Sequence, residues 1–303
     1  VNARPHNNDA PAAADHGEDS PAFDADAHRE SSLAGWEAAA AGWTRRQEAI
    51  SALGAPVSAW MLDALALQPG QRVLELAAGL GETGMLAAEL VAPMGGVIVS
   101  DQADGMLDGA RARALELGLS NIEFQVLLAE WIDLPLASVD AVLCRWGYML
   151  LADPSAGLAE TRRVLRPGGH LALAVWDSVQ HNPWALLPNL ELRERGLASS
   201  PAPGAPGPFA LADPERVRGL LADAGFAEID VQALAVEQRH CSFEDFWETT
   251  LDLSRIFHDA VLSRPEAEIA EIRTGLAARV APFTEPDGTL VLPGRTLVAS
   301  ASA

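Results

Sequence analysis

Residues 73–84 read VLELAAGLGETG, and this stretch decides the fold. Three apolar residues, Val73, Leu74 and Leu76, flank the acid Glu75, then small residues follow at Ala77, Gly79 and Gly81. That order is a buried strand, a tight turn and the start of a helix. Small side chains in the turn let a ligand approach the backbone closely. The helix beyond offers unpaired N–H groups. Gly79 to Gly84 also fits G-x-G-x-x-G, the dinucleotide pattern, which alone is a weak signal. Glu75 argues against a pyrophosphate, since two negative groups would meet at the strand end. A second acid, Asp101, stands 26 residues after Glu75 at the expected end of the next strand. One carboxylate suits an ammonium and the other a ribose diol. That pair describes S-adenosylmethionine (SAM) better than NAD.

Outward from this turn the chain alternates regularly. Strands are predicted over 72–76, 97–100, 122–127, 140–144 and 171–176, with helices over 83–91, 106–117 and 156–165 between them. A breaker, Pro167-Gly168-Gly169, precedes the fifth strand. Apolar strands alternating with helices predict an α/β fold with a doubly wound parallel sheet. Upstream, one helix is predicted over 33–53 and another after Pro56. Downstream come a Pro- and Gly-rich loop at 196–208, a helix over 214–224, a strand over 229–236, a mainly helical stretch over 243–280 and a last strand over 289–300. The last two strands have no crossover helix after them and should pair antiparallel at the edge. The expectation is seven strands, mostly parallel, with an antiparallel last strand. Helical lid insertions should fall at about 33–66, 178–212 and 242–283.

Four segments carry a family resemblance: VLELAAGLGETG, VIVSDQADGMLDGARARA, DAVLCRWGYMLLADP and RRVLRPGGHLALAVW. In order and spacing they resemble the class I SAM-dependent methyltransferases, and within them the UbiE/COQ5-like small-molecule group. The resemblance covers residues 73–176, and it implies a Rossmann-like methyltransferase fold and SAM as methyl donor. It implies that Glu75, Ala77, Gly79 and Gly81 line the methionine and ribose part, and that Asp101 holds the ribose hydroxyls. Gln102 and Met106 would lie against adenine, with Leu128, Ala129, Glu130 and Trp131 along its other edge. Cys144 and Arg145 would face the sulfonium. Two positions depart from the pattern: Ala77 replaces a glycine, and Leu128 replaces a common adenine-binding Asp.

Methyl transfer from a sulfonium asks the protein chiefly to align donor and acceptor and to exclude water. An oxygen or carbon acid acceptor can use a general base. Candidates near the strand ends are Tyr148, Asp177 and His181. Asn182-Pro183-Trp184 only half matches the motif of base-modifying amino methyltransferases. Eight tryptophans against one tyrosine suit a flat, apolar acceptor, aromatic or polyketide-like. An NAD(P)-dependent oxidoreductase built on the same turn is a second reading, and a non-enzymatic binding protein of the same fold is a third.

Composition narrows the partners. The 303 residues carry 42 acidic and 21 basic groups, a net charge of −21, and contain no lysine. That balance excludes a phosphate-backbone partner. Two cysteines, Cys144 and Cys241, exclude a disulfide scaffold or a four-thiolate zinc site. No metal is expected. Neither a membrane span nor a signal peptide is expected. The cytoplasm is the expected compartment, and a homodimer is allowed. Residues 1–32 read as a disordered acidic tail before a domain over 33–303, since residues 1–30 hold seven carboxylates against two arginines.

Overall fold

A computed structural model describes residues 23–199, 202 and 204–303. Its sheet holds β1 (Arg72–Glu75), β2 (Gly96–Asp101), β3 (Ile122–Val126), β4 (Val139–Arg145), β5 (Leu165–Trp176), β6 (Ala227–His240) and β7 (Leu290–Ser302). The order is β3-β2-β1-β4-β5-β7-β6. Pairs from β3 to β5 are parallel, whereas β7 runs antiparallel to both β5 and β6. The seven expected strands and the antiparallel last one are therefore present. Strand order reverses at β1, where β2 lies on one side and β4 on the other. In such sheets a crevice opens beyond the carboxyl ends of those strands.

Helices α3 (Glu82–Val91), α4 (Asp104–Glu116) and α5 (Pro154–Val164) make the crossovers. Two Asp-Pro pairs start helices. Asp153 accepts from Ser155 and Ala156 at the head of α5, and Asp213 accepts from Glu215 at the head of α7 (Pro214–Asp223). The carboxylate caps free N–H groups, while proline at the first turn loses no helical bond. The main core lies on the sheet, with Leu74, Ile98 and Leu143 fully buried. A second cluster joins α6 (Pro183–Glu194), α8 (Phe243–Leu253), α9 (Arg255–Leu262) and α10 (Glu266–Val280) around Leu192, Phe246 and Leu276.

Three expectations about elements are corrected. The Pro167-Gly168-Gly169 breaker lies inside β5. Val139 pairs with Leu165 and Ala141 with His170, so the four residues Arg166 to Gly169 stand opposite Asp140 in a bulge that needs no proline N–H. Upstream, the break falls at Arg46 instead of before Pro56, giving α1 (Ala25–Arg45) and α2 (Gln47–Leu65) with Pro56 inside α2. The Arg46 guanidinium bonds Asp245, Glu248 and Asp252 of α8, which fixes the elbow there. The boundary of the tail also moves. Helix α1 begins at Ala25, where Asp24 caps it through Ala27, so residues 25–32 are helical. The remainder of that expected tail, residues 1–22, lies outside the described residues. Among the described residues no helix is long and apolar enough to cross a membrane.

Candidate functional site

The turn after β1 is held by its neighbours. Ala77, Gly79 and Gly81 all adopt positive φ, at 49°, 55° and 75°. Glycine takes that conformation freely, and Ala77 takes it at a cost. Asp101 offsets the cost: its Oδ2 accepts from Gly79 N at 2.9 Å and its Oδ1 from Ala103 N at 2.9 Å. One carboxylate thus ties the end of β1 to the start of α4. Burial pushes the Asp101 carboxyl above its usual range, and the backbone N–H groups oppose that.

A cavity opens over this turn. Its floor is Ala77, Ala78 and Gly79, and Asp101 and Gln102 supply the β2 side. Residues 127–130 and 150–152 close one rim, and Arg145, Trp146 and Gly147 follow β4. A β-carbon on Gly147 would lie 2.6 Å from Ala77 Cβ and 2.7 Å from Cys144 Sγ, so only glycine fits. Trp146 has φ of 62°, donates from Nε1 to Thr296 at 3.1 Å and stacks on Trp176 at 4.4 Å. Trp184 continues this row at 4.9 Å from Trp176.

Helix α1 forms the roof, with His28, Arg29, Ser32, Trp36 and Trp43 on the cavity wall. Several contacts dock it. Arg29 pairs with Glu130 at 2.5 Å, and His28 Nε2 donates to the Leu150 carbonyl at 3.0 Å. Gln102 donates to Ser32 at 3.0 Å, and Glu37 accepts from the first N–H groups of α4 at 2.7 and 3.1 Å. Sequence reasoning missed His28, Arg29 and Ser32, because residues 1–32 were read as tail by composition. The Asp24 cap is the local signal that could have found them. Gly147 was also missed as a wall residue.

Of the expected cofactor residues, Ala77, Gly79, Asp101, Gln102, Ala129, Glu130 and Arg145 line the cavity, as does Leu128. The structure does not bring the others there. Glu75 is buried beneath the turn, with Oε2 packed against Gly84 and without a hydrogen-bond partner. Burial pushes its carboxyl up to about 8, while the nearby Arg145 charge opposes the shift. Gly81 heads α3 and packs against Val99, Ala110 and Met85. Met106 belongs to a small core with Leu80 and Ile50. Trp131 is 76% exposed and points away into solvent. Cys144 lies under Gly147, and burial raises its thiol to about 12. Glu130 is at the wall but committed, since Oε1 accepts from Asp153 N at 2.6 Å and Oε2 pairs with Arg29.

The three expected catalytic residues also stand off the wall. Tyr148 is 1% exposed. Its hydroxyl donates to Thr161 at 2.6 Å, since Thr161 spends its own proton on the Gly157 carbonyl. Burial raises the Tyr148 phenol well above its usual value, so it is no base. Asp177 is buried, which raises its carboxyl, but Arg295 and Ser178 N outweigh that and hold it low. His181 Nδ1 receives a guanidinium proton of Arg295 at 2.6 Å, so that lone pair is occupied. Asn182 knots the loop: its amide donates to the Asp177, Ser178 and Arg295 carbonyls, and its oxygen accepts from Arg295 N and Trp184 Nε1. Among the described residues no cluster of three or more His, Cys, Asp or Glu could hold a metal.

Comparison with known proteins finds methyltransferase relatives. A family model described as a methyltransferase domain matches residues 73–169. A Streptomyces fradiae protein, described as an uncharacterized 37.1 kDa protein in transposon TN4556, is 39% identical over 123 residues. That alignment covers 39% of this chain and 34% of the transposon protein, so the chain matches about a third of that relative's length. The ubiquinone/menaquinone biosynthesis C-methyltransferase UbiE of Shewanella frigidimarina is 27% identical over 179 residues, covering 56% of this chain and 71% of that enzyme. Among solved structures, the YcgJ protein of Bacillus subtilis superposes with a TM-score of 0.53 at 19% identity. It covers 81% of this chain and 97% of YcgJ, a likeness of fold.

Proposed function

We propose that this protein is a class I SAM-dependent methyltransferase similar to UbiE, its residues 73–169 matching a methyltransferase-domain model, and that it transfers a methyl group from SAM to an oxygen or carbon of a small, largely apolar acceptor. The observation that carries the reading is one cavity where a bare backbone turn, the Asp101 carboxylate and three tryptophans meet.

The residues present fit SAM. Asp101 already holds two N–H groups, yet each carboxylate oxygen keeps a free lone pair for a ribose hydroxyl. Ala77, Ala78 and Gly79 would lie under the amino-acid end, and Gln102, Leu128 and Ala129 beside adenine. Trp36, Trp43 and Trp146 present aromatic faces, which attract cations and flat apolar rings alike. When bound, SAM supplies a methyl group on an already activated sulfonium.

The chain's own part is positioning. The α1 roof and the Trp146 wall exclude water, and the turn and Asp101 fix one partner while the aromatic row packs the other. Tyr148, Asp177 and His181 are off the wall, so the reading asks for no side-chain base from them. The acceptor's proton leaves to solvent, as an acidic hydroxyl or carbon acid allows. A chain of net charge −21 favours a neutral acceptor over a phosphorylated one. Cys144 and Cys241 are both free thiols, which suits the cytoplasm.

Calorimetry with S-adenosylhomocysteine and with NADH tests the reading. Binding of the thioether and not of NADH is expected. NADH binding without S-adenosylhomocysteine binding would overturn it in favour of an oxidoreductase.

A further inference from the structure

Five residues on the cavity wall carry a charge or can take one: His28, Arg29, Asp101, Glu130 and Arg145. Four of them are committed. Arg29 pairs with Glu130 and Asp26, and Glu130 also accepts from Asp153 N. Arg145 pairs with Glu82 at 2.5 Å. Asp101 holds two backbone N–H groups and is assigned to the ribose. His28 alone keeps a basic nitrogen with no such duty.

Hydrogen bonding fixes which nitrogen that is. His28 Nε2 lies 3.0 Å from the Leu150 carbonyl, which can only accept, so Nε2 carries the proton of the neutral ring. Nδ1 is then a bare lone pair, without a hydrogen-bond partner among the described residues. Phe23 packs on the ring at 5.6 Å between centroids, and the residue is half-buried. The carboxylates of the segments around it are spent elsewhere: Asp24 on Ala27 N, Asp26 on Arg29, and Asp153 on Ser155 N and Ala156 N. With the Nε2 edge turned to Leu150, Nδ1 is the nitrogen left for a bound molecule, directly or across one water.

Leu150 also says where the ring sits. It follows β4, as Trp146 and Leu151 do, whereas Asp101 and Gln102 hold the β2 side of the cavity. The nucleoside takes the β2 side in the reading above, and the β4 side is left to the acceptor. We propose that His28 is the general base of the reaction, acting through Nδ1 on a hydroxyl of the acceptor; this rests on the methyltransferase reading. As the sulfur–methyl bond breaks, its electron pair stays on sulfur. A lone pair of the acceptor oxygen forms the new bond to the methyl carbon, the O–H bond breaks, and Nδ1 takes the proton. The half-buried ring then passes that proton to water. Helix α1 on this account supplies chemistry to the site as well as a roof.

The test begins with the free protein. Nitrogen NMR of histidine-labelled protein, with the His28 signals identified by their loss in His28→Gln, should show Nε2 protonated and Nδ1 bare. The opposite tautomer would overturn the proposal. Glutamine places an amide N–H about where Nε2 stood, so His28→Gln can keep the Leu150 bond while offering no base. Methyl transfer is then read on two probe acceptors, 1-naphthol and 4-nitro-1-naphthol, the second already ionised at neutral pH. His28→Gln and His28→Ala should each lower kcat on 1-naphthol by about a hundredfold. On the ionised naphthol the loss should be threefold or less, and S-adenosylhomocysteine affinity should stay within twofold. Equal losses on the two naphthols, or full kcat on 1-naphthol in His28→Gln, would leave His28 a roof residue and overturn the base. Wild-type turnover of neither naphthol, with S-adenosylhomocysteine still bound, would overturn it too while the cofactor reading survived. Failure to bind S-adenosylhomocysteine would sink the cofactor reading itself.

Discussion

The guanidinium of Arg145 occupies the space in which a side chain on Gly54 would begin. Gly54 is a buried residue of α2, and a β-carbon there would overlap Arg145 Nη1. A helix interior normally favours alanine over glycine by about 1 kcal/mol. Here that preference reverses. Gly54→Ala should lower the melting temperature by displacing Arg145. Gly35, in α1, has open space around it. Gly35→Ala should stabilise by about 0.5–1 kcal/mol and leave binding unchanged. Thermal melts and calorimetry on the two variants check the contrast.

Glu75 predicts a pH dependence of stability. Its ordinary value is 4.5, and burial raises it to about 8 in the folded protein. Between those values the folded state holds a proton that the unfolded state has released. The group's stabilisation is therefore complete below pH 4.5 and is lost as pH rises toward 8, at up to about 1.4 kcal/mol per pH unit. Glu75→Gln, which mimics the protonated acid, should flatten that slope. Denaturant titrations at pH 6 and pH 8.5 measure it; parallel slopes in variant and wild type would refute the assignment.

Asp101 has two duties, and substitution should show both. Asp101→Ala leaves the Gly79 and Ala103 N–H groups without acceptors in a buried place. A stability loss of about 2–4 kcal/mol is expected, from about 1–2 kcal/mol for each orphaned donor. Affinity for S-adenosylhomocysteine should fall more than tenfold. Asp101→Asn keeps one acceptor and should lie between. Full cofactor affinity in Asp101→Ala would remove it from the ribose contact.

Tyr148 should prove replaceable. Tyr148→Phe deletes one hydrogen bond, yet Thr161 keeps its bond to Gly157. A cost of about 1 kcal/mol in stability follows, with methyl transfer within twofold of wild type at every pH. A lost basic limb in the pH–rate profile would return Tyr148 to the chemistry.

The β1–turn–α3 unit was legible because each of its signals is local: an apolar run, small residues that accept positive φ, and an acid 26 residues on. Side-chain direction was less legible. Cys144 and Arg145 are adjacent on one strand, and neighbouring strand residues point to opposite faces. Only one of them could reach the cavity, and Cys144 went under. Trp131 shows a similar limit, since an aromatic type near the adenine segment does not say which way the ring turns. Helix α1 was the largest omission. Residues 23–32 have little apolar surface, and what orders them is distant: Glu130, Leu150 and Gln102. Such partners lie about a hundred residues away and leave no local periodicity.

The position of α1 also bears on how this protein can be trimmed. A shortened chain starting at Leu33 would look sensible by composition and would keep every strand. It would lose His28, Arg29 and Ser32 from the roof and leave Glu130 facing an open cleft. Such a protein should crystallise as a sound sheet with a leaky site, and an assay run on it would understate what the longer chain can hold.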